Sequence, residues 1–320
     1  MTRSQWTARA RRMTPARRML LLAVIVVIAG FVALRLAAPG APGPQASPGR
    51  YLGVYEPTTP SSYQEVSQFT AATGERPNLL LYYSHWGSGF PGRFAGEAWA
   101  HRAELIVQIN PANISLAAIA DGAYDGYLRS YGEQLRAFGH PVIIGFAHEM
   151  NGNWYSWGAG HVPAATWVRA WRRVVTDVRA VAGTQVTWLW TISHHGSAPF
   201  RPYWPGAAYV TWVGIDGYFE RPSDTYGSVF GSAVAQVRSF TSTPILLSEV
   251  GVGPATGRKP EDIAALFNGI RAQHLLGSVW FDVDQHGGLV YQDWRLEGDQ
   301  AAVAAFRQSV SGIELARPAG

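Results

Sequence analysis

The stretch Val142-Ile-Ile-Gly-Phe-Ala-His-Glu-Met-Asn-Gly-Asn-Trp-Tyr-Ser-Trp-Gly158 joins a short apolar run to a carboxylic acid among aromatic side chains. Its first five residues have the length and continuous hydrophobicity of a parallel strand that is covered on both faces. Glu149 follows this run almost at once, and a second glutamate, Glu249, directly follows another apolar run and one serine. The pattern predicts two buried strands that each end near a carboxylate.

Further runs of this kind recur along the chain and alternate with segments of helical periodicity. The runs cover residues 51–55, 79–83, 105–109, 142–146, 186–190, 209–215, 244–247 and 278–281. Apolar residues at helical spacing lie between several of them, at 123–138, 164–182, 231–240 and 261–274. This alternation of strand and helix predicts an α/β fold, a (β/α)8 TIM barrel, and disfavours a doubly wound open sheet.

Polar or aromatic side chains follow each predicted strand. They are Glu56, His85 with Trp86, Asn110, His148 with Glu149, His194 with His195, Asp216 with Tyr218, Glu249, and Asp282 with Asp284. The carboxyl ends of barrel strands meet on one face, where barrel enzymes have their active sites. We therefore expect these side chains to converge, with some, such as Asn110 before Pro111, acting only in turns.

The basic pI of 9.4 arises from the N-terminal part of the chain. Residues 1–50 contain eight arginines and no acidic residue, so the remaining 18 basic residues face 22 acidic ones, a net charge of about −4 for residues 51–320. This balance argues against nucleic acid as a partner. The sequence has no cysteine, which excludes disulfides and a thiol nucleophile.

The N-terminal pattern is typical of a targeting segment. Basic residues 1–18 precede the apolar segment 19–38, and residues 39–50 form a linker rich in proline and glycine. The apolar segment is predicted to be a transmembrane signal anchor or a cleaved signal peptide. By the positive-inside rule, residues 1–18 are expected in the cytoplasm and the domain at 51–320 outside the cell, either attached to the membrane or secreted.

Two carboxyl groups in different surroundings are what a retaining glycosidase requires. One must be protonated to act as general acid, and the other must be ionised to attack the sugar carbon. Glu149 has Trp154, Tyr155 and Trp157 close in sequence, so desolvation is expected to raise its pKa. Glu249 has small neighbours and needs a hydrogen-bond donor, for which Tyr218 is the candidate. This chemistry requires no cofactor.

The segment His148-Glu149-Met150-Asn151-Gly152, followed by Trp154 and Trp157, resembles the acid/base motif of glycoside hydrolase family 26, a family of β-mannanases. The segment Ser248-Glu249-Val250-Gly251 is similar to that family's nucleophile strand. The resemblance implies a retaining (β/α)8 glycosidase with Glu149 as acid/base and Glu249 as nucleophile. It also implies a set of substrate-binding residues, namely His85, Trp86, His148, Asn151, Trp154, Trp157, Tyr218 and Trp280.

Two departures from the family pattern bear on which sugar the protein recognises. Tyr155-Ser156 has less aromatic bulk than the family often shows, and Phe281 stands where some mannanases present an arginine. The resemblance implies endo-β-1,4-mannanase activity on an extracellular polysaccharide. A β-glucanase or β-xylanase with the same machinery, and a carbohydrate-binding barrel without catalysis, remain alternatives.

Two patterns in the sequence bear on metal binding. His194 and His195 near Asp216 offer metal-ligand types, but adjacent histidines usually point in different directions. The segment 282–288 has alternating acidic residues but lacks the glycine position and terminal glutamate of a calcium loop. We expect no metal at either place and predict that 282–288 is a substrate-binding loop or a plain turn.

Overall fold

The computed structural model describes residues 49–285 and 292–316, and eight parallel strands in these ranges close into a barrel in sequence order. The strands are β1 (Tyr51–Tyr55), β2 (Leu79–His85), β3 (Glu104–Asn110), β4 (Val142–Phe146), β5 (Val186–Ser193), β6 (Trp212–Phe219), β7 (Ile245–Val252) and β8 (Gly277–Phe281). β1 pairs with β8, from Tyr51 with Gly277 to Tyr55 with Phe281, and this pairing closes the barrel. The predicted (β/α)8 fold is confirmed.

Five strands extend beyond the apolar runs that predict them. β2, β3, β5, β6 and β7 continue through polar residues at their carboxyl ends, where the main chain still pairs with a neighbour. His85 pairs with Asn110, Ser193 with Asp216, and Asp216 with Glu249. Polar side chains are therefore held on rigid strand backbone at this face, not on loose loops.

The helices lie between successive strands. They are α1 (Gln64–Thr73), α2 (Gly92–Ala100), α3 (Leu116–Ala120), α4 (Asp125–Phe138), α5 (Ala164–Ala182), α6 (Ser232–Arg238), α7 (Lys259–Ala272) and α8 (Gln300–Val310). The predicted helix 164–182 matches α5, and 123–138 matches α4 closely. The observed helix α6 is shorter than the predicted range 231–240. A π-helical turn, Gly227–Gly231, directly precedes it and takes up the first predicted residue.

The core has two parts. One fills the barrel interior with side chains such as Leu79, Ile106 and Leu246, and the other lies between the strands and the helices. Trp167 and Trp171 of α5 are fully buried and stack in this outer layer with ring centroids 5.3 Å apart. The interior is thus packed, and polar side chains are concentrated at the carboxyl ends of the strands.

The predicted basic segment and apolar segment, and nearly all of the linker, fall within residues 1–48 and lie outside the described residues. Between Gly49 and Gln285 and from Gln292 to Ala316, none of the helices is long and apolar enough to cross a membrane. β1 begins at Tyr51, where the domain was predicted to start.

Candidate active site

A cleft of about 720 Å³ opens at the carboxyl ends of the strands, and Glu149 and Glu249 both line it. Its walls are mainly aromatic and polar. Other lining residues are Tyr55, Tyr83, Trp154, Tyr155, Ser193, His195, Tyr218, Glu220, Phe281 and Gln285. The cleft thus brings together carboxyl groups that are 100 positions apart in the sequence.

Glu149 projects from a strained turn that follows β4. Ala147 and Glu149 both have left-handed backbone, with φ of 48° and 53°. Such a conformation costs on the order of 1–3 kcal/mol for a residue other than glycine. Two main-chain hydrogen bonds hold the turn, from Ala147 N–H to the Ile109 carbonyl (3.0 Å) and from Glu149 N–H to the Thr191 carbonyl (2.9 Å). The neighbouring strands therefore fix the position of this carboxyl group.

Trp154 contacts Glu149 directly. Its indole N–H donates to Glu149 Oε2 at 2.8 Å, although 45% of the residue's surface is exposed. Gly152 makes this arrangement possible, because a Cβ at that position would lie 2.3 Å from carbons of the Trp154 ring. The predicted substrate-binding residue Trp154 thus has an exposed ring face and a hydrogen bond to the carboxyl group.

Asn151 is fully buried, and its amide holds the Glu149 loop to the end of β5. Its Nδ2 donates to the Ser193 carbonyl (2.7 Å), and its Oδ1 accepts from the Ser193 N–H (2.9 Å). A side chain at Gly196 would collide with this amide, since a Cβ there would lie 1.9 Å from Nδ2. Both of these hydrogen bonds are made inside the protein, and contact between Asn151 and substrate stays a prediction.

Glu249 lies on β7 and accepts hydrogen bonds from two tyrosines. Tyr218 donates its hydroxyl to Oε2 at 2.5 Å, and Tyr83 donates its hydroxyl to Oε1. The sequence predicts the Tyr218 contact, whereas Tyr83 is a residue that it missed. Each oxygen of this carboxyl group thus has a phenolic donor, which favours the ionised form.

Burial raises the pKa of both glutamates. It raises the pKa of Glu249 to about 7, and the charge of Glu149 adds to this rise, whereas the tyrosine hydrogen bonds oppose it. Burial also raises the pKa of Glu149, and hydrogen bonds from Trp154 and Ser193 offset part of that rise. The phenolic donors thus favour the negative charge on Glu249.

Asp216 lies beside Glu249 on the neighbouring strand and is fully buried. Ser248 donates its hydroxyl to Oδ1 at 2.5 Å. Burial first, and then the charges of Glu249 and Glu149, raise the pKa of Asp216 well above its ordinary value. Asp216 thus packs next to Glu249 at a place where burial disfavours a further negative charge.

His195 and Glu220 form a pair on the cleft wall, with Nε2 and Oε2 3.3 Å apart. The hydrogen bond to Glu220 raises the pKa of His195, and the same contact lowers the pKa of Glu220. Burial lowers the pKa of the adjacent His194 to about 4, so this histidine is neutral. The described residues show no cluster of metal-ligand atoms that includes either histidine.

Three predicted substrate-binding residues are buried behind the cleft. His148 packs against the rings of Tyr83 and Tyr155, and burial lowers its pKa to about 3. Trp157 donates its indole N–H to the His148 carbonyl (2.8 Å), and Trp280 donates to the Trp294 carbonyl (3.0 Å). At most 3% of each residue is exposed. These three residues thus lie behind the residues that line the cleft, and their direct contact with substrate stays a prediction.

His85 and Trp86 lie at the end of β2 and do not line the cleft. His85 is exposed, and Trp86 packs against Tyr124, Tyr127 and Phe146. Their role in binding a longer glycan stays a prediction.

Another part of the cleft wall was not predicted from the sequence. Tyr55 and Phe281 stack with centroids 4.7 Å apart and 16° between their planes, and both line the cleft. Both are the last residues of adjacent strands. Pairing of the first and eighth strands, which a barrel requires, is the signal that could have placed them together.

A (β/α)8 barrel with two carboxyl groups among aromatic rings on its C-terminal face has the architecture of the barrel glycosidases. The profile of glycosyl hydrolase family 26 matches residues 112–304, which is more than half of the chain. The chain belongs to this family of O-glycosyl hydrolases.

Individual relatives agree with this assignment. Endoglucanase H of Acetivibrio thermocellus is 24% identical over 280 residues, which cover 82% of this chain and 30% of that protein. A mannan endo-1,4-beta-mannosidase of Bacillus subtilis strain 168 is 26% identical over 172 residues, covering 51% of this chain and 41% of its own length. The chain thus spans less than half the length of these relatives.

Solved structures share the fold. An endo-beta-1,4-mannanase of Cellulomonas fimi has a TM-score of 0.64 at 15% identity, covering 84% of this chain and 72% of its own. A mannanase of Bacillus subtilis has a TM-score of 0.61 at 16% identity, with coverage of 87% and 88%.

Proposed function

We propose that this protein is a retaining β-glycoside hydrolase that cleaves an extracellular polysaccharide, with β-1,4-mannan as substrate and internal bonds as the target. One observation carries the proposal: each oxygen of Glu249 accepts a hydrogen bond from a tyrosine, while Trp154 donates to Glu149 in the same cleft. The two carboxyl groups therefore differ in the way that double displacement requires.

In this mechanism Glu149 acts as general acid and gives its proton to the glycosidic oxygen. Ionised Glu249 attacks the anomeric carbon, the bond to the leaving sugar breaks, and a glycosyl ester forms on Glu249. Glu149, now ionised, takes a proton from water, which attacks the anomeric carbon and releases Glu249. Two inversions restore the original β configuration. The two tyrosines hold Glu249, and all groups come from this chain.

The cleft suits a neutral polysaccharide. Trp154 and Tyr155 on one side, and Tyr55 with Phe281 on the other, offer ring faces to the apolar faces of sugars. Ser193, His195 and Gln285 offer polar groups for hydroxyls. Mannan is supported by the family and by relatives named as mannan endo-1,4-beta-mannosidases.

A β-glucan is the second candidate substrate. The relative aligned over the largest share of this chain, 82%, is named an endoglucanase. Phe281 also gives the cleft an apolar wall where some mannanases present an arginine.

The test is the release of reducing ends by the full-length chain from β-mannan, mixed-linkage β-glucan and β-1,3-xylan. Glu149→Ala and Glu249→Ala should each lower activity at least 1,000-fold, and the matched control Glu97→Ala, which changes an exposed glutamate of α2, should not. Near wild-type activity in either variant would contradict the role of that residue. A chain that binds glycan but releases nothing would instead be a carbohydrate-binding barrel.

An azide-rescue assay distinguishes the two roles. Its substrate is an aryl β-glycoside whose leaving group departs without being protonated by a general acid. Azide should restore turnover in both variants. It takes the place of water on the glycosyl-enzyme of Glu149→Ala and gives a β-glycosyl azide. It takes the place of the lost nucleophile in Glu249→Ala and gives an α-glycosyl azide. The opposite pair of products would exchange the assignments.

We also propose that the barrel works outside the cell, held by residues 19–38 or released after cleavage. The support is the arginine-rich segment before an apolar run. Protease added to intact cells should digest the barrel if it is tethered, and culture medium should contain it if it is released. Barrel found only in the cytosol would contradict this location.

A further inference from the structure

Three carboxyl groups cluster next to the cleft and take no part in the proposed reaction. Glu56 follows β1, Asp282 follows β8, and Glu297 lies in the loop before α8. One carboxylate oxygen of each lies within 4.8 Å of the others. Glu56 and Asp282 are each only 3% exposed, whereas Glu297 reaches the surface.

Oxygens of this cluster lack the partners that buried polar atoms usually have. Glu56 Oε1 and Glu297 Oε2 are buried and have no hydrogen-bond partner among residues 49–285 and 292–316. Asp282 Oδ1 accepts the N–H of Leu296 at 2.9 Å. A side-chain hydrogen bond links Asp282 and Glu297. Buried polar atoms in proteins almost always have a partner, so Glu56 Oε1, on a residue that is only 3% exposed, points to a ligand.

The ammonium group of Lys259, whose charge acts on Asp282, is already held by the main chain. Its Nζ donates to the carbonyls of Asp293 (3.2 Å) and Arg295 (2.7 Å). Two of the three N–H donors of Lys259 are thus used by main-chain carbonyls rather than by the cluster.

We propose that Glu56, Asp282 and Glu297 bind one divalent cation of the calcium class. The donor set consists of oxygens only, without histidine or cysteine, and hard cations prefer such sets. Oxygens on opposite sides of a Ca²⁺ ion are about 5 Å apart, because each Ca–O distance is about 2.3–2.6 Å. Carboxylate oxygens within 4.8 Å of one another suit this ion. Glu297, which is partly exposed, gives the ion a path from solvent.

The position of the site connects it to the cleft. Glu56 follows Tyr55 and Asp282 follows Phe281, and these two rings stack on the cleft wall. A cation that joins the ends of β1 and β8 to the loop at Glu297 would therefore hold this wall in place. The sequence pattern around Asp282 does not predict this site, because Glu56 and Glu297 are distant from Asp282 along the chain.

The test uses the full-length chain after removal of metal with EDTA, and then titration with CaCl2 at pH 7. Equilibrium dialysis with radioactive Ca²⁺ should show one ion per chain. The Tm should rise by about 5 °C at a hundredfold excess over Kd. Glu56→Gln and Glu297→Gln, which keep the shape of the side chain, should each weaken binding at least tenfold. The control Glu261→Gln, an exposed glutamate of α7, should bind Ca²⁺ like the wild type.

Two results would overturn the proposal. One is a wild-type chain that binds no Ca²⁺ under these conditions, in which case the cluster is balanced by protons. The other is Ca²⁺ binding that is equally strong in both Gln variants, which would place the ion elsewhere. Dialysis of Glu297→Gln keeps the test decisive if Glu56→Gln does not fold, because Glu297 is only partly buried.

Discussion

Asn151 and Ser193 bind each other through two hydrogen bonds, with the side-chain amide of Asn151 pairing with the N–H and the carbonyl of Ser193. The amide thus makes the same pair of hydrogen bonds with the main chain of β5 that a neighbouring strand would make. It joins the loop that carries Glu149 to a residue that lines the cleft.

Asn151→Ala should lower both stability and activity. It removes the partner of the buried Ser193 N–H, at a cost of about 1–3 kcal/mol, and the shorter of two hydrogen bonds to the Ser193 carbonyl, worth about 0.5–1.5 kcal/mol. The carbonyl keeps the Gly196 N–H at 3.3 Å. We expect a loss of about 2–5 kcal/mol in the free energy of unfolding, measured by urea denaturation. The exposed neighbour Asn153 is the matched control, and Asn153→Ala should change stability by less than about 0.5 kcal/mol. Equal losses in the two variants would contradict the role of the amide.

Tyr83→Phe should move the acid limb of the pH profile to higher pH. The hydroxyl donates to Glu249 and stabilises its ionised form, so its removal raises a pKa that is already about 7. A hydrogen bond to a charged group contributes about 1.5–3 kcal/mol, which corresponds to about 1–2 pH units. We expect kcat/KM at pH 6 to fall about 10- to 100-fold, with partial recovery at higher pH.

The matched control for Tyr83→Phe is Tyr82→Phe. Tyr82 precedes Tyr83 on β2, so its side chain points to the opposite face of the strand, where it packs in the layer beneath the helices. Its pH profile should match that of the wild type. An acid limb that stays in place in Tyr83→Phe would show that this tyrosine does not set the charge on Glu249.

Trp154→Phe should move the basic limb to higher pH. The indole N–H lowers the pKa of Glu149, so losing it lets Glu149 keep its proton to higher pH, by about one unit for about 1.5 kcal/mol. The Phe ring can still stack on a sugar, so KM should change by less than about threefold. Trp154→Ala removes the ring as well and should also raise KM about tenfold. An unchanged basic limb in Trp154→Phe would contradict the contact.

The barrel and the carboxyl pair could be predicted from the sequence because both leave local signals. A buried strand produces an apolar run, and Glu149 and Glu249 interrupt the expected pattern just beyond two such runs. Tyr218 could be predicted because it follows the sixth run and the resemblance places it there. These features depend on residues close together along the chain.

Tyr83 and the burial of Trp280 could not be predicted in the same way. Tyr83 ends an apolar run and looks like a core residue, and nothing near it in sequence indicates Glu249 across the barrel. Trp280 lies at a strand end, but only the alternation of side chains within β8 decides that Phe281, not Trp280, lines the cleft. Composition and motif spacing do not fix that alternation, whereas the strand register does.

Gly152→Ala should reproduce the effects of altering Trp154 without changing Trp154 itself. Gly152 has no positive φ, so its backbone accepts alanine, but the new Cβ would lie 2.3 Å from the Trp154 ring and must displace it. We expect the basic limb to move up by about one pH unit, as in Trp154→Phe, with a rise in KM because the ring leaves the cleft wall. Gly126→Ala is the matched control, since a Cβ there meets no atom within 4 Å and the helix gains about 0.5–1 kcal/mol. If the basic limb of Gly152→Ala is the same as that of the wild type, the prediction is wrong. The Trp154 ring would then contact Glu149 even with a Cβ at position 152.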